Sequence, residues 1–405
     1  MVGFAFFATF INYLDRQVLS VVAVSPDFKA AVPLKEEYYG YVTSAFMLAY
    51  TIMNGLSGPF IDSVGTRIGY AGCMLWWSLA GMLHVFARGV VSLGCFRFLL
   101  GAGEAGNWPA ATKLVSEWFP ARERALACGI FNSGASFGAV VSTPLITWLV
   151  LERGWRSAFI VMGALGLVWM VGWLFVCPSP PALEIERPPP VSVRQLWATR
   201  FVLYFTLSKG FMDPVWYFFV FWFPKYLAEV HHFSLKEIGW KGWIPYLTAA
   251  LGNFAGGWLT SALIRSGIAT PAARKTSTTV FALAMLSTIP AILTTHASVA
   301  IALVSVTTFG YTGFSANAMA FPADVFPKQA VASVYGLASM GSGFGGMVFM
   351  ALSGWLIGRY GYTPVFIGYG VLPVLAQACI LFLIGPLRPA ARFQQRGTMQ
   401  SPLEL

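Results

Sequence analysis

The chain has 405 residues, of which 57% are hydrophobic and only 10% are charged. Soluble domains carry about 25% charged residues, so this composition excludes an ordinary soluble protein and indicates an integral membrane protein surrounded by lipid. The net charge of +10 would suggest a nucleic-acid partner in a soluble protein. Here the basic residues lie at the ends of apolar runs, and no nucleic-acid partner is predicted.

Apolar runs of roughly twenty residues, the length that an α-helix needs to cross a bilayer, recur along the chain. The runs are continuous, whereas the strands of a membrane barrel would alternate. We therefore predict an all-α membrane protein. Its twelve transmembrane helices are predicted at 4–25, 38–61, 68–87, 90–114, 124–150, 155–177, 200–228, 238–264, 274–294, 298–321, 331–357 and 362–385.

The start of the chain and its basic residues predict the orientation. Met1 opens almost directly into an apolar run, unlike a cleaved signal peptide with its basic start, so this run is taken as the first span. More lysine and arginine residues, among them Arg67 and Arg274, fall on the side that holds both termini. Such an excess marks cytoplasmic loops, and both termini are predicted to be cytoplasmic.

The two halves of the chain align with each other at a constant shift and without a gap. Aligned glycine pairs include Gly103 with Gly310, Gly134 with Gly341 and Gly138 with Gly345. Two parallel six-helix halves with a ligand site between them are a known transporter architecture. We predict an N-terminal half at 1–177, a Pro-rich cytoplasmic linker at 178–199, a C-terminal half at 200–388 and a cytoplasmic tail at 389–405.

Ionisable residues lie inside the first and fourth predicted spans. A charge at the bilayer centre costs several kcal/mol, so such residues mark a pathway or binding site by default. Arg97 and Glu104 are two helical turns apart and are expected to share one helix face and a cavity. Asp15 and Arg16 are adjacent, diverge by about 100° and should face different partners. The structural alternative is an ion pair that only joins these two spans.

The chemistry of these four side chains predicts how they divide the work. Arginine stays protonated and its planar fork matches a carboxylate, so Arg16 and Arg97 are predicted to bind an organic anion. A desolvated carboxyl group can hold a proton near neutral pH, so Asp15 and Glu104 are predicted to carry protons. Entry of an anion against an inside-negative potential costs ~2.3 kcal/mol per 100 mV, which a bound proton removes.

Polar and aromatic side chains of other spans suit a polyol substrate. The predicted substrate-binding residues of this kind are Tyr50, Asn54, Asn132, Trp216 and Ser339. The alternative for Tyr50, Asn54 and Asn132 is helix packing, because small and polar residues commonly hold membrane helices together. In the seventh span, Lys209 and Asp213 have i, i+4 spacing, and a self-neutralised pair is as consistent with this spacing as a site.

No signal for a cofactor or an enzyme is present in the sequence. The five cysteines have no paired or metal-like spacing, and no phosphate-binding loop or catalytic triad spacing occurs. We therefore predict no metal, no cofactor and no catalytic residues.

The segment GPFIDSVGTR, which contains Gly58, Asp62, Gly65 and Arg67, forms a predicted tight turn between the second and third spans. Asp62 and Arg67 are predicted gating residues, since Asp62 can bond to a neighbouring helix in one state and release it in another. This turn resembles the signature loop of the major facilitator superfamily.

Three longer stretches narrow the resemblance: INYLDR, GEAGNWPAATKLVSEWFPARERALACGIFNSG and DPVWYFFVFWFPKY. They resemble the hexuronate transporters of the anion:cation symporter family, and the similarity covers almost the whole chain. It implies the major facilitator fold and proton-coupled uptake of glucuronate or galacturonate. It also implies a part in proton coupling for Asp15 and Glu104, and places Arg16 and Arg97 at the family's conformational and substrate-linked arginines.

The resemblance further places Tyr13 and Tyr50 near the sugar-acid site. Two positions depart from galactonate-type relatives. Ala135 stands where these have a substrate-contacting glutamine, and the segment around Ser339 replaces an asparagine of the eleventh span. A galactonate transporter is therefore disfavoured.

The predicted function is proton symport of a hexuronate-like anion by a monomer, through alternating access. A neighbouring alternative is an exchanger or uniporter of another organic anion, such as an aromatic or dicarboxylic acid. A different class is a non-transporting membrane receptor or a membrane-embedded enzyme, for which the sequence shows no soluble domain and no catalytic cluster.

Overall fold

The computed structural model describes residues 1–119, 123–178, 193–326 and 328–385. In this part of the chain all regular elements are helical, which confirms the predicted all-α class. Most of the predicted linker and the whole predicted tail, 389–405, lie outside the described residues.

The described helices before residue 179 form what we call the N-terminal group. They are α1 Val2–Val22, α2 Pro26–Ala31, α3 Glu36–Val64, α4 Thr66–Leu83, α5 Val90–Glu104, α6 Asn107–Trp118, α7 Arg124–Arg153 and α8 Trp155–Val176, with a 3₁₀ turn at His84–Phe86.

The described helices after residue 192 form the C-terminal group. They are α9 Val193–Trp197, α10 Arg200–Val230, α11 Leu235–Lys241, α12 Ile244–Arg265, α13 Thr270–Ala284, α14 Thr288–Leu293, α15 Ala297–Ala318, α16 Phe321–Val325, α17 Lys328–Tyr360 and α18 Thr363–Ala378. A 3₁₀ turn at Met285–Ser287 and a π-helix at Cys379–Leu383 complete the group.

Eight helical segments of the described residues are long and apolar enough to cross a membrane. They are Thr66–Phe86, Ala127–Arg153, Trp155–Val176, Leu235–Arg265, Thr270–Leu293, Ala297–Val325, Ser333–Tyr360 and Thr363–Leu383. Three further predicted spans correspond to long helices of the structure. The span 4–25 is α1 with 21 residues, 38–61 is α3 with 29, and 200–228 is α10 with 31.

The fourth predicted span, 90–114, is interrupted, so the prediction of one continuous helix is wrong. α5 ends at Glu104, and α6 begins only at Asn107. The Gly106 N–H bonds to the Gly103 carbonyl at 3.2 Å, an i→i+3 turn. Both glycines lie directly against α4 and leave no room there for a Cβ. The break places the Glu104 carboxyl at a helix end inside the bundle.

The predicted internal repeat is visible in the packing of two helix pairs. Gly134 and Gly138 of α7 lie directly against the backbone of α1. The aligned Gly341 and Gly345 of α17 lie in the same way against the backbone of α10. Since only glycine permits such close approach of two helices, the repeat preserves one packing geometry in both groups.

The two groups are joined at the end where α1 ends and α3 begins, which we call the Glu36 end. Lys225 Nζ of α10 contacts Glu36 of α3 at 3.0 Å and Glu229 at 2.8 Å. The Tyr39 hydroxyl donates to the Phe221 carbonyl at 2.6 Å. These bonds between α3 and α10 close the Glu36 end of the bundle.

The predicted gating residues lie at the opposite end, the Asp62 end, and bind within the N-terminal group. Lys113 of α6 contacts Asp62 at 2.9 Å, and Arg67 donates to the Leu174 carbonyl of α8 at 2.6 Å. Gly65, between α3 and α4, has φ +82°, a conformation that favours glycine. The turn is therefore tight, as predicted, and it ties α3 and α4 to α6 and α8.

Candidate functional site

The centre of the N-terminal group holds an ion pair between α1 and α5. Arg16 Nη2 lies 2.9 Å from Glu104 Oε2, and Arg16 Nε donates to the same oxygen at 3.0 Å. The two side chains are 2% and 0% exposed. A buried ion pair of this kind is costly to desolvate, and removal of one partner costs about 3–5 kcal/mol because the other charge is left unpaired.

Aromatic rings and an amide surround the guanidinium of Arg16. Its Cζ lies 5.0 Å from the ring centre of Tyr13, 5.3 Å from Phe46 and 4.9 Å from Tyr50. Its Nη2 also donates to Asn12 Oδ1 at 3.2 Å. Cation–π contacts contribute about 2 kcal/mol in a desolvated setting, so this cage can hold Arg16 in place when its carboxylate partner changes.

Two carboxyl oxygens in this region have no hydrogen-bond partner among the described residues, Glu104 Oε1 and Asp15 Oδ2. Both are buried. A buried acceptor without a donor costs about 1–3 kcal/mol. Uptake of a proton would convert the carboxylate into a neutral acid and remove much of this penalty, so the arrangement suits proton binding.

Asp15 and Arg97 form a second charged layer inside the N-terminal group. Asp15 lies beside Gly81 of α4, within electrostatic range of Arg97. Arg97 Nη1 donates to the Arg16 carbonyl at 3.4 Å, while its Nε and Nη2 have no partner among the described residues. Asp15 and Arg16 thus face different partners, as expected for adjacent residues of a helix.

The structure brings some predicted substrate residues together and leaves others apart. Trp216 of α10 lies beside the Tyr13 hydroxyl, so aromatic side chains of both groups meet next to Arg16. Asn54 and Asn132 are half-buried on α3 and α7. Ser339 donates to the Tyr335 carbonyl of its own helix at 2.9 Å. Arg97 faces the backbone of α1 and not this aromatic cluster.

The expected shared cavity is closed in this conformation. Asp15, Arg16, Arg97 and Glu104 are at most 3% exposed. A solute therefore reaches Arg16 only after surrounding side chains or helices move. The site is better described as an occluded charge cluster than as an open chamber.

The C-terminal group contributes a charge cluster that the sequence left undecided. Lys209 Nζ lies 2.8 Å from Asp213 Oδ2, and both side chains are buried. Tyr311 of α15 donates to Asp213 Oδ1 at 3.2 Å, and its ring stacks on Trp216 with centroids 5.3 Å apart. The i, i+4 spacing predicted the pair, but no local signal connected it to Tyr311 on another helix.

An all-helical bundle of two repeat-related helix groups, each with buried ionisable side chains, is the architecture of a multi-pass membrane transporter. The chain belongs to the major facilitator superfamily, whose family model matches residues 5–273 and 272–404. This membership confirms the predicted fold and places the protein among transporters rather than enzymes.

Sugar-acid transporters are among the similar curated proteins. The hexuronate transporter of Escherichia coli (strain K12) is 30% identical over 415 residues, covering 98% of this chain and 95% of the relative. The galacturonate transporter of Dickeya chrysanthemi is 31% identical over 278 residues, covering 64% and 80%. The probable galactarate/D-glucarate transporter GarP of E. coli (strain K12) is 27% identical, covering 95% and 94%. The predicted resemblance to hexuronate transporters is confirmed.

Solved structures share the fold at low sequence identity. A D-xylose-proton symporter aligns with a TM-score of 0.77 at 14% identity, covering 95% of this chain and 98% of that one. A bacterial homologue of the human lysosomal transporter Spinster, in an inward-facing and occupied conformation, aligns with a TM-score of 0.72 at 20% identity, covering 95% and 94%.

Proposed function

We propose that the protein is a proton symporter of the anion:cation symporter type that imports a hexuronate-like sugar acid. The observation that carries this proposal is the Arg16–Glu104 ion pair inside an aromatic cage, in which Glu104 Oε1 has no partner within the part of the chain that the structure describes. A guanidinium is the group best matched to a carboxylate. In the present conformation the guanidinium of Arg16 is bound by Glu104, so substrate binding requires Glu104 to release Arg16.

A proton on Glu104 would bring about this release. The neutral acid attracts Arg16 far less than the carboxylate does, whereas the aromatic cage still holds the guanidinium in place. A sugar-acid carboxylate then replaces Glu104 as the partner of Arg16, and the hydroxyls of Tyr13 and Tyr50 are available for the sugar. Proton and anion binding are thereby coupled, because each one neutralises the charge that the other exposes.

Asp15 and Arg97 form the second element of this proposal. Like Glu104, Asp15 carries a buried carboxyl oxygen that no described side chain or backbone group binds, and it is a second proton acceptor. Arg97 bonds to the carbonyl of Arg16, so a change of charge at Asp15 acts on the position of α1 through Arg97. The transport cycle needs such a link between protonation and helix movement.

During transport, the two halves 1–177 and 200–388 rock about the central site, and both termini lie in the cytoplasm. The Glu36 end is then extracytoplasmic, and its contacts form the closed outer gate. The Asp62 end is cytoplasmic, and its signature-loop bonds hold the N-terminal half together while the halves move. Monomeric transport suffices, since both halves belong to one chain.

Lys225→Gln is expected to weaken the closed outer gate, because Lys225 is the cation between Glu36 and Glu229. The glutamates are partly exposed, so the loss is on the order of 1 kcal/mol, about fivefold in the closed-to-open ratio. The readout is the alkylation rate of a cysteine introduced at Ser44, whose hydroxyl bonds across the gate to the Met347 carbonyl at 2.8 Å. The rate should rise about fivefold.

The matched control is Lys35→Gln in the same Ser44→Cys background, which removes a positive charge at an exposed position of the same end. It should leave the alkylation rate unchanged. Equal rates for the two variants would show that the Lys225 cluster does not keep the outer end closed.

The function is tested by uptake into vesicles that contain the purified protein. Labelled glucuronate and galacturonate are supplied outside, with the vesicle interior made alkaline. We expect accumulation above the outside concentration that a protonophore abolishes. Uptake that is independent of the pH gradient but requires an anion inside the vesicles would instead establish an exchanger. Binding without any uptake would establish a receptor.

A further inference from the structure

The buried Lys209–Asp213 pair of α10 lies on the side of the C-terminal group that faces Arg16. Asp213 is linked through the Tyr311 hydroxyl to the ring stacked on Trp216, which itself lies beside Tyr13 of α1. Tyr217, the residue after Trp216, is within electrostatic range of Arg16. The pair therefore borders the same cluster as the Arg16–Glu104 pair, from the opposite group.

A purely structural account of this pair is weak. Lys209 and Asp213 lie one turn apart on a single helix, so their ion pair joins no two helices. The stabilisation from such an intrahelical pair is small, and desolvation of two charges outweighs it. Outside α10, the pair contacts two aromatic side chains: Lys209 Nζ lies 5.4 Å from the ring centre of Tyr335 on α17, and Tyr311 of α15 donates to Asp213.

The charges of the two pairs determine what the site can accept. In the present arrangement Glu104 neutralises Arg16 and Asp213 neutralises Lys209. Among the described residues of this cluster, a proton on Glu104 frees the cation of Arg16, whereas Arg97 stays bonded to the α1 backbone beside Asp15. A substrate with one carboxylate matches this single free charge, whereas a second carboxylate would enter a region where Lys209 is already neutralised.

We propose that Asp213 sets the charge class of the substrate: by neutralising Lys209 it makes the site select sugar acids with one carboxylate over those with two. This inference rests on the proposed function and adds to it a residue that determines specificity. Asp213 acts through Lys209 and through the Tyr311–Trp216 stack, so it is a positioning residue rather than a ligand of the sugar acid.

The test compares the wild type, Asp213→Asn and the double variant Lys209→Met/Asp213→Asn in detergent. Asparagine keeps the oxygen that accepts from Tyr311, so the aromatic stack is preserved while the charge of Lys209 is exposed. Inhibition constants are measured for unlabelled galacturonate, with one carboxylate, and galactarate, with two, against labelled galacturonate. The readout is the ratio of the two constants in each protein.

We expect Asp213→Asn to shift the ratio about tenfold in favour of galactarate, since one added unit charge acts on the second carboxylate. The double variant should return the ratio to the wild-type value. A ratio that stays within about twofold of wild type in Asp213→Asn, or a shift that persists in the double variant, overturns the proposal.

A second variant keeps the proposal testable if Asp213→Asn does not fold. Lys209→Gln leaves Asp213 as an unpaired anion and should shift the ratio about tenfold against galactarate. An unchanged ratio in this variant also contradicts the proposal. Failure of the wild type to bind galacturonate at all would instead contradict the proposed function, so the two failures are distinguishable.

Discussion

Glu104→Gln is expected to abolish sugar-acid accumulation driven by a pH gradient while leaving substrate binding and exchange intact. Glutamine resembles the protonated glutamate in shape and lacks its charge, so Arg16 is free at every pH. The site then binds the anion without needing a proton. Because anion binding no longer depends on protonation, a proton on Asp15 is not carried in step with the anion. In vesicles, the accumulation ratio should fall to about one with an imposed gradient.

Exchange of labelled for unlabelled galacturonate across the same vesicles provides the internal control, since this exchange requires binding and movement but no net proton flux. It should continue in Glu104→Gln at a rate comparable to wild type. Glu104→Asp keeps a titratable group and should retain part of the coupling. Accumulation by Glu104→Gln in response to the gradient would refute the proton role of this residue.

Stability must be measured alongside transport, because the substitution breaks a buried ion pair. The unpaired Arg16 would cost about 3–5 kcal/mol if nothing replaced its partner. Asn12 and the rings of Tyr13, Phe46 and Tyr50 remain around it, so a smaller loss is expected. A variant that exchanges normally in vesicles has folded, and its loss of accumulation then reports on coupling alone.

Arg16→Gln is expected to weaken sugar-acid binding about 100-fold, the second large effect. Truncation of one partner of a desolvated, hydrogen-bonded charge pair costs about 2–5 kcal/mol, and 1.4 kcal/mol corresponds to a factor of ten. Lysine at this position keeps the positive charge but cannot donate two parallel hydrogen bonds to a carboxylate. The affinity of Arg16→Lys should therefore lie between those of the wild type and Arg16→Gln. Affinity is measured by competition against labelled galacturonate in detergent.

Arg97→Lys is the matched comparison, because Arg97 is equally buried on α5 but bonds to the backbone of α1. It should change stability or coupling more than affinity. If Arg16 serves only as a structural tie between α1 and α5, then Arg16→Lys lowers the unfolding temperature and leaves affinity unchanged. That result would support the structural alternative over the proposed one.

The sequence predicted the residues of the ion pair and, as the structural alternative, an ion pair between the first and fourth spans, but it did not predict which two side chains form it. Arg16 and Glu104 stood out because a charge in an apolar run is costly. Arg97 stood out for the same reason, and helical periodicity placed it on one face with Glu104. The structure instead pairs Glu104 with Arg16, 88 residues away in the chain, while Arg97 lies against the α1 backbone. Periodicity describes one helix and does not define its neighbours.

Local breaks were also beyond the sequence pattern. Hydropathy made residues 90–114 one span, but the glycines at 103 and 106 pack so closely on α4 that the helix turns between Glu104 and Asn107. The same glycines supported the internal repeat, which the matching packing of α7 on α1 and α17 on α10 reproduces. A glycine in the sequence indicated that another helix packs closely at that position, but it did not indicate which helix.

By itself, the sequence determined the membrane class, the helical fold, the repeat and the family, because lipid permits few backbone arrangements and each leaves a strong local signal in hydropathy and glycine spacing. Tertiary structure decided which charge meets which, that the Lys209–Asp213 pair reaches Trp216 through Tyr311, and that the Glu36 end is closed. These features depend on contacts between helices distant in the chain, and a linear pattern of residues carries no information on their distances.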